Sequence, residues 1–121
     1  MEKAYRITVF VPPAQLAEVV ASITRVLPPN NGNYGEVFWW SAPGTEQFRP
    51  LAGSSPASGS VGELSRMDAI ELKFLLPRNE ALLNQVIEEG IYPAHPWEAP
   101  VITVDKCRIT GNSPESKESK N

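Results

Sequence analysis

Two segments of the chain alternate apolar with polar residues, the period of two that is typical of β-strands. They are 5–11, YRITVFV, and 69–76, AIELKFLL. Segments 36–42, EVFWWSA, and 101–109, VITVDKCRI, are also predicted as strands because they are apolar and rich in β-branched or aromatic residues. The aromatic run in 36–42 is expected to be buried on both faces.

Two further segments carry apolar residues at steps of three and four, which is typical of amphipathic helices. Pro13 suits the first turn of the first helix, and Asn79 can cap the second, which we expect to end at Gly90 in a left-handed C-cap conformation. The apolar stripes are Leu16, Val19, Val20, Ile23 and Val26 or Leu27 in the first helix, and Leu82, Leu83, Val86 and Ile87 in the second.

The predicted order is strand, helix, strand, insertion, strand, helix, strand. It fits an α+β, ferredoxin-like βαβ-βαβ sandwich, with a four-stranded antiparallel sheet and both helices on one face. Residues 43–66 form a Gly/Pro/Ser-rich insertion between strands 2 and 3, and 112–121 a disordered polar tail after a single domain, 1–111. The uncovered sheet face would carry Phe10 and part of the Trp39-Trp40 pair, so we expect a homo-oligomer packed sheet against sheet, a trimer or a dimer.

Composition narrows the classes of partner. The chain has 121 residues, 41% hydrophobic and 21% charged, with a net charge of -3, so it offers no basic field for nucleic acid. No apolar run approaches the roughly 20 residues that span a bilayer, so no membrane partner is expected. The single Cys107 and an N-terminus without an apolar leader favour a cytoplasmic protein.

The only histidine lies in the stretch PAHPWEAP, residues 93–100. His95 and Glu98 could bind a divalent metal ion or a small polar metabolite, with Trp97 as an aromatic wall, because imidazole and carboxylate are common ligands of such ions. Alternatively, the prolines fix a turn, His95 bonds to backbone, and Trp97 packs in the core or at a subunit interface. The sequence leaves both interpretations open.

Four other residues are candidates for ligand binding. Arg49 could hold a carboxylate or phosphate through its guanidinium, or tie the insertion down through a salt bridge. Asn33 and Tyr34 in NGNYG, and Thr45 in GTEQF, could contact a ligand or serve turns. No catalytic residue is predicted, because Cys107 lies in a predicted strand without a marked activating base and no nucleophile or phosphate-loop motif is present.

Three short sequence motifs, taken together, resemble those of a known family. NGNYG, GTEQFRPLAGSSPASGSVGEL and HPWEAP are similar to words of the PII/CutA-like domain of YqfO and other NIF-three-like proteins, close to G-N-Y, G-T-F-R-P-L-x-G-x-x-P-x-x-G-x-x-G and H-P-Y-E-E-P. The resemblance covers about Asn31 to Val104. It implies a ferredoxin-like fold of the PII and CutA superfamily, commonly trimeric, with the insertion where PII signalling proteins carry their effector loop.

This chain departs from the family pattern at several positions. Two residues separate Thr45 from Phe48 where the usual word has none, and Trp97 and Ala99 replace a tyrosine and a glutamate. Longer members of the family place this domain between two halves of a metal-binding protein, and no position here corresponds to the ligands of those halves. The basic cluster by which PII proteins hold nucleotide phosphates is also missing from the sequence.

The sequence therefore predicts a non-enzymatic regulatory or sensory module. It would be oligomeric and would bind a small metabolite or a divalent metal ion, the one cofactor suggested, in a cleft between subunits. A structural or protein-interaction module and a small metal-dependent hydrolase are the alternatives.

Overall fold

The computed structural model describes residues 1–28 and 33–111. The five strands are β1 (Glu2–Val11), β2 (Trp39–Trp40), β3 (Gly44–Phe48), β4 (Ser65–Pro77) and β5 (Ile102–Ile109). The helical elements are a 3-10 turn (Pro13–Gln15), α1 (Leu16–Val26), α2 (Glu80–Gln85), a π-helical segment (Val86–Ile91) that continues α2, and a last short turn, α3 (Tyr92–Ala94). The predicted tail, 112–121, and part of the NGNYG turn lie outside the described residues.

The sheet has the order β2-β4-β1-β5, and β3 pairs with a separate part of β4. Every pairing is antiparallel, and the central one joins β1 to β4 from Ala4 opposite Pro77 to Val11 opposite Ile70. The predicted ferredoxin-like fold class is confirmed. The sheet has five strands instead of four because β4 begins at Ser65 and is long enough to pair with both β3 and β2.

The core lies between the sheet and the helices, and the predicted alternation and helical stripes are confirmed. Every second residue is buried from Tyr5 to Val11 in β1 and from Ile70 to Leu76 in β4, and Val19 and Ile23 of α1 are fully buried. The core cluster comprises Tyr5, Ile7, Val9, Val11, Val19, Ile23, Leu72, Phe74, Leu76, Val86 and Ile91. Asn79 caps α2 as predicted, since its side chain accepts a hydrogen bond from the Leu82 amide at 3.0 Å. In residues 1–28 and 33–111, no helix is long and apolar enough to cross a membrane.

The predicted burial of the aromatic run 38–40 on both faces is wrong for the single chain. Trp39 and Trp40 are 55% and 49% exposed, and only Phe38 packs inward, with its ring 5.4 Å from that of Phe74. The reason is that β2 is a two-residue edge strand, so its side chains have a neighbouring strand on one side only. The Lys73 ammonium lies 5.6 Å from the Trp39 ring centroid and partly covers it.

The sheet face opposite the helices is open and carries exposed apolar side chains. Phe10 and Leu75 are 40% and 47% exposed, and their cross-strand neighbours place them on the face that also bears Trp39. Polar residues share this face, and among them Arg6, the cross-strand neighbour of Leu75, forms an ion pair with Asp105 at 3.6 Å. We call Phe10, Trp39 and Leu75 the open-face apolar group.

The prediction that Gly90 caps a helix in the left-handed conformation is wrong. Gly90 is buried within the π-helical segment, and its φ is not positive. A Cβ there would lie 3.0 Å from Val26 Cγ2 and 3.3 Å from Ile23 Cα, so the glycine permits the close approach of α1. The Ser22 hydroxyl donates to the Gly90 carbonyl at 2.6 Å, which fixes this contact.

We expect Gly90→Ala to lower the free energy of unfolding by about 1 to 3 kcal/mol, because the added methyl overpacks the contact with α1. Urea denaturation measures the change. Gly44→Ala is the matched control, since a Cβ at Gly44 meets only the Ala69 carbonyl at 3.9 Å. Equal stability of the two variants would contradict the packing role of Gly90.

Candidate functional site

A cleft of about 290 Å³ opens beside the β3–β4 ribbon. Its walls come from that ribbon, from residues 50–58 of the insertion, and from the turn that follows α3 and precedes β5. The lining residues are Glu46, Phe48, Pro50, Ser54, Pro56, Ala57, Ser58, Met67, Trp97, Glu98, Ala99 and Val101. Two segments that the sequence singled out, the insertion and HPWEAP, therefore meet within one chain.

Glu98 connects the turn to the insertion. Its two carboxylate oxygens share the single N–H of Ser55 in a bifurcated hydrogen bond, at 3.0 and 2.9 Å, across 43 residues of sequence. A hydrogen bond to an ionised acceptor is stronger than one between neutral groups. The carboxylate of Glu98 thus holds the insertion against the turn at the mouth of the cleft.

Arg49 braces the base of the same insertion. Its guanidinium donates to the Gly62 carbonyl at 2.6 Å, and the Gly62 amide donates to the Pro50 carbonyl at 2.7 Å. Gly62 has a φ of +82°, which favours glycine at this closing position. The structure therefore shows Arg49 tying the insertion down, through a backbone carbonyl instead of a salt bridge.

His95 is buried directly behind the cleft wall, with 7% of its surface exposed. Its Nε2 lies 2.7 Å from the Phe10 carbonyl oxygen, and its Nδ1 accepts from the Trp97 amide at 3.2 Å. A carbonyl can only accept and an amide can only donate, so the ring is the neutral tautomer protonated at Nε2. Burial lowers the pKa of His95, and the bond to the Phe10 carbonyl opposes this in part.

The His95 ring also positions Trp97. The two ring centroids are 4.9 Å apart, with an interplanar angle of 58°. Because the backbone and ring of Trp97 both contact His95, the indole is held in the cleft wall. The turn is thus a backbone-anchored support that presents Trp97 and Glu98.

The predicted metal pair, His95 and Glu98, is engaged in other contacts. Both imidazole nitrogens and both carboxylate oxygens already have partners within the chain. Among the residues that the structure describes, no group of three or more His, Cys, Asp and Glu side chains is placed to hold a metal ion. A metal at this pair stays a prediction, and it would require these hydrogen bonds to open.

The remaining predicted site residues lie apart from the cleft lining. Asn33 and Tyr34 are exposed residues ahead of β2. Thr45 is exposed in β3, opposite Asp68, so it is a strand residue and not part of a turn. Of the seven predicted ligand-binding residues, Trp97 and Glu98 line the cleft.

Sequence reasoning missed Glu46. It lies in β3 opposite Met67, and both residues line the cleft. The Glu46 Oε2 atom is covered from solvent and has no hydrogen-bond partner within residues 1–28 and 33–111. Burial raises the pKa of the Glu46 carboxyl. The available signal was the family departure, because Glu46 and Gln47 are the two residues that separate Thr45 from Phe48.

Comparison with known proteins now identifies the relatives of this chain. No model of a protein family matches it. A Staphylococcus epidermidis protein named GTP cyclohydrolase 1 type 2 homolog is 28% identical over 97 residues, which are 80% of this chain and 25% of that protein. A Bacillus cereus protein related to NIF3 superposes with a TM-score of 0.72 and 26% identity, over 91% of this chain and 27% of the other. The chain is related to NIF-three-like proteins.

The relation concerns one segment of these longer proteins. The chain spans about a quarter of the length of the curated relatives it matches. The structure of Bacillus subtilis GlnK in complex with ATP superposes with a TM-score of 0.55 over 96% of this chain and 98% of GlnK, at 10% identity, which shows a shared fold. The resemblance to NIF-three-like proteins noted from the three sequence motifs is confirmed by the first two comparisons.

We expect the stability of the protein to fall as the pH drops below about 6.5, the ordinary histidine pKa. The folded chain lowers the pKa of His95, so the unfolded chain binds more protons between the two pKa values, and unfolding becomes easier as the pH falls through that window. Thermal unfolding between pH 7.5 and 5 measures this loss. His95→Gln should be less stable at pH 7.5 and show a flatter pH profile, whereas an unchanged slope would contradict the role of the neutral imidazole.

Proposed function

We propose that this chain is a non-enzymatic regulatory or sensory module that binds a small molecule in the cleft between its insertion and the HPWEAP turn. The observation that carries the proposal is the bifurcated hydrogen bond from the Ser55 amide to both Glu98 carboxylate oxygens, which joins the two walls at the mouth of a mainly apolar cleft. Apolar clefts with a few placed polar groups are the usual form of small-molecule sites. The relation to NIF-three-like proteins and the fold shared with GlnK also support a regulatory module.

The insertion is the element through which binding would be communicated. Two sets of polar contacts hold it, Glu98 with Ser55 and Arg49 with Gly62, and all four residues are exposed. A ligand that prefers one position of the insertion shifts the population towards that position by its difference in affinity. A partner that contacts the insertion could then distinguish the bound from the free protein.

The proposal assigns no chemical step to the cleft. The single thiol, Cys107, is in β5 opposite Ala4, and its Sγ contacts the Ala4 carbonyl at 3.7 Å, so it belongs to the sheet. A metal-dependent hydrolase would require Glu98 to leave Ser55 and His95 to leave Phe10. We therefore propose that these residues serve binding and not hydrolysis.

The module would act as a homo-oligomer. Phe10, Trp39 and Leu75 are between 40% and 55% exposed on one sheet face, and covering such a group is a common basis of subunit association. A trimer is favoured because the resembled superfamily is commonly trimeric, and a dimer is the alternative. In the alternative hypothesis, a structural or protein-interaction module, a different protein would cover the same apolar group.

We expect Glu98→Gln to weaken small-molecule binding about fivefold to tenfold, because the Gln carboxamide oxygen still accepts from the Ser55 amide but without charge assistance, a difference of about 1 to 1.5 kcal/mol. A thermal-shift panel of Zn²⁺, Mn²⁺, ATP, amino acids and amines, followed by titration calorimetry of the hits, measures binding. Glu63→Gln is the control, since Glu63 is an exposed glutamate of the same insertion outside the cleft lining.

A panel without a hit on the wild type, or equal binding by the Glu98→Gln and Glu63→Gln variants, would contradict the proposed function. A Zn²⁺ response that disappears in His95→Ala would establish the metal form of the site. In that result, the histidine must have left the Phe10 carbonyl.

We expect light scattering coupled to size-exclusion chromatography to give three times the chain mass of 13.3 kDa, or twice that mass for a dimer. Leu75→Glu should yield a folded monomer, because the new carboxylate has Arg6 as its cross-strand neighbour and would be costly to bury against another subunit. Val61→Glu, on the exposed part of the insertion, is the control. A wild-type mass of 13.3 kDa at all concentrations would contradict the oligomer.

A further inference from the structure

Glu46 lines the cleft, and its carboxyl has no hydrogen-bond partner among the described residues. A ligand in the cleft could therefore provide one. Glu46 alternates with Gln47 along β3, so that Gln47 points to the opposite face and accepts from Arg66 Nε at 3.0 Å, while Glu46 turns to the cleft. Its Oε2 is covered and unpaired within the described parts of the chain. The terminal torsion of glutamate is roughly two-fold, so either carboxyl oxygen can be presented to an occupant.

The other charged group of the cleft has the same sign. Glu46 and Glu98 are the two ionisable side chains in the lining, which contains no lysine, arginine or histidine. Both carboxylate oxygens of Glu98 already accept from the Ser55 amide, whereas the covered Oε2 of Glu46 accepts no hydrogen bond within the described residues. The charge of the cleft is therefore complementary to a cation, and the unsatisfied position is at Glu46.

The other residues that line the cleft suit the apolar part of a ligand. Phe48, Met67 and Trp97 line the cleft together with two prolines, and aromatic faces attract cations as well as apolar groups. Since one water takes about 30 Å³ of liquid volume, the cleft corresponds to about ten water-sized groups, the size of a small ligand. Burial also raises the pKa of Glu46, which is the response of a carboxyl that lacks a compensating charge.

We infer that the cleft binds a small organic cation, a protonated amine attached to an apolar or aromatic body, with Glu46 as its counter-charge and the Trp97 and Phe48 rings as its walls. This inference rests on the proposed function, because it names the ligand class for the same cleft. Inorganic cations fit less well, since the walls are mainly apolar and no group of three or more potential metal ligands is found among the described residues.

The test uses three probes of one shape, benzylamine, benzyl alcohol and benzoate, which carry a positive, zero and negative charge at pH 7.5. Titration of the ¹⁵N-labelled full chain follows the backbone amides of Ser55, Met67 and Trp97. We expect benzylamine to shift these signals with a Kd on the order of 1 mM, the range expected for a ligand of about eight heavy atoms. Benzyl alcohol should bind at least tenfold more weakly, and benzoate should leave the signals unchanged.

Glu46→Gln keeps the shape of the side chain and removes its charge. We expect it to weaken benzylamine binding at least tenfold without lowering the melting temperature of the free protein, because the covered Oε2 has no hydrogen bond to lose. Glu63→Gln should change neither quantity. A loss of binding without a loss of stability separates a ligand-binding residue from one that only supports the fold.

The outcomes distinguish this inference from the proposed function. Binding of benzyl alcohol or benzoate as tight as that of benzylamine, or unchanged benzylamine affinity in Glu46→Gln, overturns the organic cation and leaves the cleft as a small-molecule site. The same holds if none of the three probes binds while another compound of the earlier panel binds in a Glu98-dependent way. If no compound of either set binds, both proposals are overturned.

Discussion

The antiparallel pairing of β1 with β4 is the constraint on which the rest of the structure depends. Eight residue pairs, from Ala4–Pro77 to Val11–Ile70, place alternate side chains of both strands beneath the helices. Because β4 extends beyond this pairing at its N-terminal end, β3 can attach to it and form the ribbon that carries Glu46. Because Phe10 lies near the C-terminal end of β1, beyond the Val9–Ile102 pair with β5, its carbonyl is available to anchor His95. Both walls of the cleft are therefore set by where two central strands begin and end.

The parts of the fold that sequence predicts well are those in which burial follows a local period. The inward residues recur at every second position in β1 and β4, and at steps of three and four in α1. The apolar pattern itself therefore defines each element. β3 was assigned to the insertion because its strand character comes from pairing with β4 and not from its composition. Gly90 was misassigned because glycine suits both a helix end and a close helix contact, and only the positions of Ile23 and Val26 decide between them.

The candidate site shows the same division. Trp97 and Glu98 could be chosen from their residue types and from the resemblance to NIF-three-like words, and both line the cleft. His95 has the chemistry of a ligand, but the Phe10 carbonyl and the Trp97 amide occupy its nitrogens, and Phe10 is 85 residues distant in sequence. Glu46 gave no motif, since its burial results from the register of β3 on β4. A side chain's chemistry is readable in sequence, whereas its availability depends on distant backbone.

The ribbon of β3 with the first residues of β4 has a mechanical consequence for the molecule. Residues 65–68 contribute no fully buried side chain, so this part of β4 stands outside the cooperative core that begins at Ala69. A two-stranded ribbon is only marginally stable by itself. It can therefore fray without unfolding the sandwich, as segments of low local stability do. The boundary between this ribbon and the buried core lies at Ala69 and Ile70, so opening of the ribbon would stop there.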